Sequence, residues 1–204
     1  MIVRTNQKAN ILTVARELIQ EKGYELFRLE DLLLKLNLSK GGFYHHFKSV
    51  EGLLEKLIAE DFQEELNSIQ QIHGFNDSKQ AIIHLFVLGK NHREKGILKS
   101  LGCEKSRQLY LTLMDQIWYE PFKHELATLL KRGFDEGSFP QMNIPVVCEL
   151  FEAINRQVNR SEILGLWSQE LSLQYGLASL ALLADQLDMG QEISELTKAW
   201  GHHG

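Results

Sequence analysis

Apolar residues recur three and four positions apart along most of the 204-residue chain, the spacing that turns one side of an α-helix toward a core. Ile11, Ala15, Leu18 and Ile19 predict a first helix over about 6–22, ended by Gly23. Leu29, Leu32, Leu33 and Leu36 predict a short second helix that stops at Asn37, a residue tolerant of the left-handed conformation. Leu38 can then plug the corner, and Ser39 is a preferred N-cap for a third helix whose Phe43 and Phe47, four apart, point inward. Ser49 caps a long fourth helix, in which Leu53, Leu54, Leu57, Ile58, Phe62, Leu66 and Ile69 carry the stripe to about His73.

Beyond it, Asn76 or Asp77 caps a helix containing Ala81, Ile82, Leu85, Phe86 and Leu88, broken at Lys95-Gly96, and a short piece spans about 97–103. A long apolar segment follows from Leu109 to Phe134, with a kink or local break expected at Pro121 and a terminator at Gly137. Asn143 caps a helix with Val146, Val147, Leu150, Phe151, Ile154 and Val158, and a final long helix covers about 166–187. That last helix is apolar on more than one face, so it needs cover on two sides. The expectation is a homodimer in which the last two long helices pair with their twofold copies as a four-helix bundle. Ile193, Leu196 and Trp200 suggest a short amphipathic tail.

The fold class expected is therefore all-α: three prolines, 44% apolar residues and no alternating strand-like runs. The polar, mixed-charge start and the lack of an apolar run of about 18 residues predict a cytoplasmic protein without a membrane span. The net charge of −5 is uneven: residues 1–56 carry +2 and residues 57–204 carry −7. A mildly basic head on an acidic body suits a nucleic-acid-facing part joined to one that is not. Cys103 and Cys148 lie in no Cys/His cluster, which predicts buried free thiols, and the scattered histidines, His84 and His92 included, predict no metal site. No nucleophile with its base, paired carboxylates or phosphate-cradling loop stands at a recognisable spacing, so neither an enzyme nor a cofactor is expected.

The outer face of the third helix carries the chemistry. Lys40, Tyr44 and Lys48, with Gly41 and His45 beside them, fall opposite Phe43 and Phe47. Backbone amides at the helix start, from Ser39 on, and lysine ammoniums can meet phosphates. The tyrosine hydroxyl and imidazole add donors, and Gly41 and Gly42 let the backbone approach base edges. Two glycines cost roughly 1 kcal/mol each in a helix interior, so a helix this short carries them for a reason. Residues 1–6, with Arg4, read as a polar arm, either a disordered terminus or one that touches the adjacent minor groove or backbone.

The run SKGGFYHHFKSVEGLL, preceded by ILTVARELIQEKGY and LEDLLLKLNLS, resembles the DNA-binding domain of the TetR family of bacterial transcriptional regulators over about 11–57. The resemblance implies a three-helix helix-turn-helix domain over 1–48 and a larger helical ligand-binding and dimerisation domain over 49–204. It further implies a connecting helix from about residue 49, with Lys56 as a phosphate contact. Phe27 and Arg28 stand where the family has a Thr or Ser cap, which assigns Arg28 to phosphate. Gly42 replaces a common Thr, Ser or Ala, and Val50 a frequent Lys. The resemblance also implies a pocket for a small-molecule effector, and the aromatic, sulfur-bearing and polar residues between 62 and 155 supply its candidates: Phe62, Phe86, Cys103, Tyr110, Met114, Trp118, Phe122, Phe151 and Asn155. The function expected is a homodimeric repressor released from a double-stranded DNA operator by that effector. The alternative is a fold-retaining interaction or ligand-binding protein with weak or lost DNA binding.

Overall fold

The computed structural model describes residues 7–85 and 96–190. Arg4, Phe86, Leu88, His92, Lys95 and the tail with Ile193, Leu196 and Trp200 lie outside the described residues. Within them the structure is helical throughout: α1 (Gln7–Lys22), α2 (Leu29–Leu36), α3 (Lys40–His46), α4 (Val50–Gln70), α5 (described over 78–85), α6 (Glu104–Ile117), α7 (Tyr119–Asp135), α8 (Ile144–Ile163) and α9 (Gln169–Leu187). Short 3-10 turns at Tyr24–Leu26, Gln71–Gly74 and Ile97–Ser100 complete the described chain. The residues fall into two compact units, one within Met1–Glu64 and Asn91–Met114, the other within Glu65–Lys90 and Asp115–Gly204. The Ile97–Ser100 turn and most of α6 thus belong with the amino-terminal helices.

In the first unit, Ile11, Ala15, Ile19, Leu32, Phe43, Leu53, Leu54 and Leu57 are buried. Gly23, at φ 85°, ends α1 and donates to the Ile19 carbonyl at 2.8 Å. Asn37, at φ 48° and ψ 47°, ends α2, and Leu38 N–H reaches back to the Leu33 carbonyl at 2.9 Å. Both are positions where a left-handed residue frees the chain to turn. Ser39 and Ser49 accept from Gly42 N–H (3.1 Å) and Gly52 N–H (2.9 Å), capping α3 and α4.

In the second unit α7 packs on α8 and α8 on α9. Asn143 and Ser168 cap α8 and α9, so the last helix begins three residues later than Leu166, which lies outside it and is exposed. The break expected at Pro121 falls at Trp118, between α6 and α7. Pro121 itself sits in the first turn of α7, where its missing N–H has no helical acceptor to lose. Phe134, expected in the core, is 43% exposed. The chain ends α7 as predicted, with Gly137 at φ 74°, and the turn folds the Phe139 ring against Gly133. A Cβ on Gly133 would lie 2.1 Å from that ring.

Among the described residues, two apolar stripes of this unit are exposed. Val146 and Leu150 on α8, and Leu171, Tyr175 and Leu182 on α9, are exposed, Leu182 by 64% and Leu150 by 60%. Leu180, Leu183, Ala184 and Leu187 are buried on the other side of α9. This is the two-faced character read from the sequence, with one face satisfied inside the chain.

Candidate nucleic-acid interface

α3 is seven residues long, too short to hold itself together in water. It stands because Phe43 (0% exposed) and Phe47 (5%) are rooted in the core, their rings stacked at 5.7 Å, and because Ser39 caps its start. The face opposite is solvent-facing: Lys40, Gly41, Tyr44, His45 and Lys48 are exposed, Tyr44 by 52%. The phenol ring makes a T-shaped contact with Phe43, centroids 5.3 Å apart. The helix thus presents donors and positive charge on one side and buries hydrocarbon on the other, the division a major-groove reader needs.

The two glycines differ. A Cβ on Gly41 would make only an ordinary contact with Ser39 Oγ at 3.9 Å, whereas one on Gly42 would come within 2.5 Å of Leu38 Cδ1. Gly42 therefore has a packing reason in the turn, which the sequence alone did not disclose.

Several cations of the head are already engaged. Lys40 pairs with Glu30 at 3.2 Å, Lys35 with Glu17 at 3.0 Å, Lys22 with Asp31 at 2.6 Å and Lys56 with Glu60 at 3.9 Å. The Lys40 bond and charge, after Glu30's own backbone N–H, hold the Glu30 carboxyl below its ordinary range. Arg28 does not cap α2 by its side chain. Its guanidinium donates to the carbonyls of Glu25 and Phe27, each at 3.1 Å, while the residue remains exposed. Sequence reasoning missed Lys8, whose ammonium lies 5.5 Å from the Phe47 ring centre and so adds a cation beside α3. Only its place near the chain start could have hinted at that.

A second polar assembly holds the head together. Arg16 on α1 bonds the buried Asp61 of α4 and donates to the Leu57 carbonyl at 3.3 Å, and Asp61 also accepts from Ile97 N–H at 2.7 Å. Glu25 accepts from Cys103 N–H (2.8 Å), Gly102 N–H (2.9 Å) and the Ser106 hydroxyl (3.0 Å). Burial alone would raise the Glu25 carboxyl. The bonds from Cys103, from its own backbone, from Gly102 and from Ser106 outweigh it and bring the pKa to about 2.

The pocket candidates divide between the two units. Phe62, Tyr110 and Met114 are buried in the first, with the Phe62 and Tyr110 rings 5.0 Å apart. Trp118, Phe122 and Phe151 form a buried stack in the second, at 4.4 Å and 6.3 Å. Asn155 spends its amide on the Phe151 carbonyl at 2.8 Å. Cys103, expected buried, is exposed at the start of α6, because its backbone N–H rather than its thiol faces Glu25. Cys148 is buried as expected, and that burial pushes its thiol up to about 11. Shallow depressions at Gln141–Pro145 and beside Glu51 and Glu104 include none of the candidates. Among the described residues no group of three His, Cys, Asp or Glu side chains could hold a metal ion, and no helix is long and apolar enough to cross a membrane.

A capped helix, a left-handed turn at Asn37 and a short, core-rooted helix with a basic outer face define a helix-turn-helix protein. Residues 11–57 match the family model described as bacterial regulatory proteins, tetR family. Along 88% of its length the chain is 22% identical to YfiR of Bacillus subtilis (strain 168), an uncharacterized HTH-type transcriptional regulator, covering 90% of that protein. It shares its fold with the reduced form of Escherichia coli NemR (TM-score 0.60, 17% identity, 89% of this chain and 97% of that one). The Bacillus subtilis transcriptional regulator FadR, solved with stearoyl-CoA, has a TM-score of 0.50 at 16% identity over 85% of this chain and 96% of that one. The family match thus covers the helix-turn-helix segment, and along most of its length the chain is similar to an HTH-type transcriptional regulator.

Proposed function

We propose that the protein is a homodimeric repressor that reads a double-stranded operator with α3 and leaves it when a small molecule binds the second domain. The observation that carries the DNA-binding part is the exposed face of Lys40, Gly41, Tyr44, His45 and Lys48 above the buried Phe43 and Phe47. In this reading Ser39 and Gly42 supply the backbone at the helix start, and Arg28 and Lys56 approach phosphates from its flanks. The domain division is a reader over 1–48 and an effector and dimerisation domain over 49–204.

The uncovered stripes on α8 and α9 support the dimer, since their apolar side chains gain by pairing with a second copy. Two copies place two α3 helices in successive major grooves, with half-sites about 10 bp apart or a multiple of that. The buried aromatic clusters at Phe62 and at Trp118 support an apolar effector, as does the stearoyl-CoA held by FadR. A coupling of about 1–3 kcal/mol between effector and operator would weaken DNA binding roughly 5- to 150-fold.

The test is selection of bound sequences from a random DNA pool by the purified protein at moderate salt. An enriched palindrome is expected, and its affinity should fall steeply with salt as lysines displace counterions. No enrichment from a dimeric, effector-free protein would remove this reading. The second reading, an interaction protein with weak DNA binding, has its support in the ion pairs that already occupy Lys22, Lys35, Lys40 and Lys56. A flat salt dependence would favour it.

A further inference from the structure

We propose that Glu25 is a positioning residue for DNA recognition, tying the helix-turn-helix to the start of α6 and thereby narrowing the half-site spacing that the dimer accepts. The inference rests on the reading above as a dimeric operator binder. Residues 97–107 lie far along the chain from the helix-turn-helix, yet they pack with it. Ile97 and Leu101 are buried, α1 packs on the Ile97–Ser100 turn, and the unit that contains α1–α3 also contains this segment.

Two carboxylates hold the segment at its two ends. Asp61 takes the N–H of Ile97 at 2.7 Å. Five residues on, a single oxygen of Glu25, Oε1, takes three donors: Gly102 N–H, Cys103 N–H and the Ser106 hydroxyl. The two N–H groups stand at the start of α6, where the helix supplies no acceptor, while the Ser106 hydroxyl also lies 3.0 Å from the Cys103 carbonyl; the carboxylate thus caps this end of α6 from 77 residues away. The approach is close: a Cβ on Gly102 would stand 2.7 Å from Glu25 Oε2, so the carboxylate would have to shift to admit one. Glu25 belongs to the turn between α1 and α2, directly before the helix-turn-helix formed by α2 and α3.

Among the described residues, α4 and α6 are the helices divided between the two units, α4 after Glu64 and α6 after Met114. A head joined only through α4 could turn about that helix. A head also bonded to α6 through Glu25 has that rotation restrained. Inserting one base pair between half-sites moves one of them by about 3.4 Å and rotates it by roughly 35°, a displacement a restrained head cannot follow without straining bonds.

The experiment measures affinity of the full-length wild type, Glu25→Gln and Glu25→Ala for the selected operator, for the same operator with one base pair added at its centre, and for a single half-site. Thermal melting checks that each variant is folded. The wild type is expected to lose about 10-fold or more on insertion, and Glu25→Ala less than about 3-fold, with half-site affinity unchanged and amide exchange at Gly102 and Cys103 accelerated. Glu25→Gln, which keeps one acceptor oxygen, should fall between and serves as the readout if Glu25→Ala does not fold. A variant that melts earlier but keeps the full insertion penalty would show a purely structural role and overturn the inference alone. A wild type that selects no paired half-sites overturns the operator reading and this inference with it.

Discussion

The outer face of α3 and the outer faces of α8 and α9 are both exposed, and they expose opposite chemistries. α3 turns Lys40, Tyr44 and His45 to solvent, with Lys48 exposed just past its end, whereas α8 and α9 turn out Val146, Leu150, Leu171, Tyr175 and Leu182. Water satisfies the first set, whose counterpart under the proposed function is a polyanion. It does not satisfy the second, and hydrocarbon of this kind is stable only when covered. The two surfaces also differ in what supports them. α3 is seven residues long and depends on two phenylalanines and a cap, while α8 and α9 are 20 and 19 residues long and pack on one another. A small rigid reader has been placed on the part of the chain with the least helix of its own.

The comparison breaks most severely at the support of the short helix. Phe43→Ala removes a fully buried ring and should cost about 3–5 kcal/mol of stability. Denaturant unfolding should show that loss, with operator binding gone. A loss below about 1 kcal/mol would mean that α3 does not hang on this residue.

At the opposite surface, Leu182→Asp places a carboxylate at the C-terminal end of the α9 stripe of Leu171, Tyr175 and Leu182. It should leave the protomer folded and raise the dimer dissociation constant by at least about 100-fold, since a charge at an apolar interface is left without a partner. Light scattering across a dilution series reads the change. A dimer that persists would show that this stripe faces something other than a second copy.

The polar face of α3 should respond to Lys40→Ala and Tyr44→Phe without unfolding. The Lys40–Glu30 pair is open to solvent on both sides, at 66% and 67% exposure, so breaking it leaves stability unchanged. Lys40→Ala should weaken operator binding about 10-fold and lower the salt slope by about one unit. Tyr44→Phe should change affinity without changing that slope, because it removes a hydroxyl rather than a charge. Unchanged binding by both variants would remove this face as the reader.

What was legible in the sequence was local. Gly23, Asn37 and Gly137 end helices because a left-handed residue has a signature visible within a few positions, and Ser39, Ser49 and Asn143 announce the next helix in the same way. The outward set on α3 followed from a period of 3.6 and the spacing of two phenylalanines. What was not legible was long-range or decided by packing. Nothing near Glu25 marks it as the cap of a helix that starts at residue 104. Nothing near Cys103 shows that its amide, not its thiol, is the group in demand. Trp118 took the break expected at Pro121 because proline is well placed in a first turn, and Gly42 is small because Leu38 lies over it.

The smallest expected effect concerns the bonds that join the head to residues 102–106. The Glu25 carboxyl titrates near 2 in the folded chain, against an ordinary 4.5. Because the folded value is the lower one, the ionised group stabilises the protein above about pH 4.5, and that stabilisation is lost as the pH falls from there toward 2. Glu25 is largely open to solvent, so the contribution is discounted to about 1 kcal/mol. Glu25→Gln should therefore be less stable than the wild type by about that amount at pH 7, and the difference should shrink through the window from 4.5 to 2. A difference that stays constant across that window would assign the loss to packing of the side chain and leave its charge without a part in holding α6.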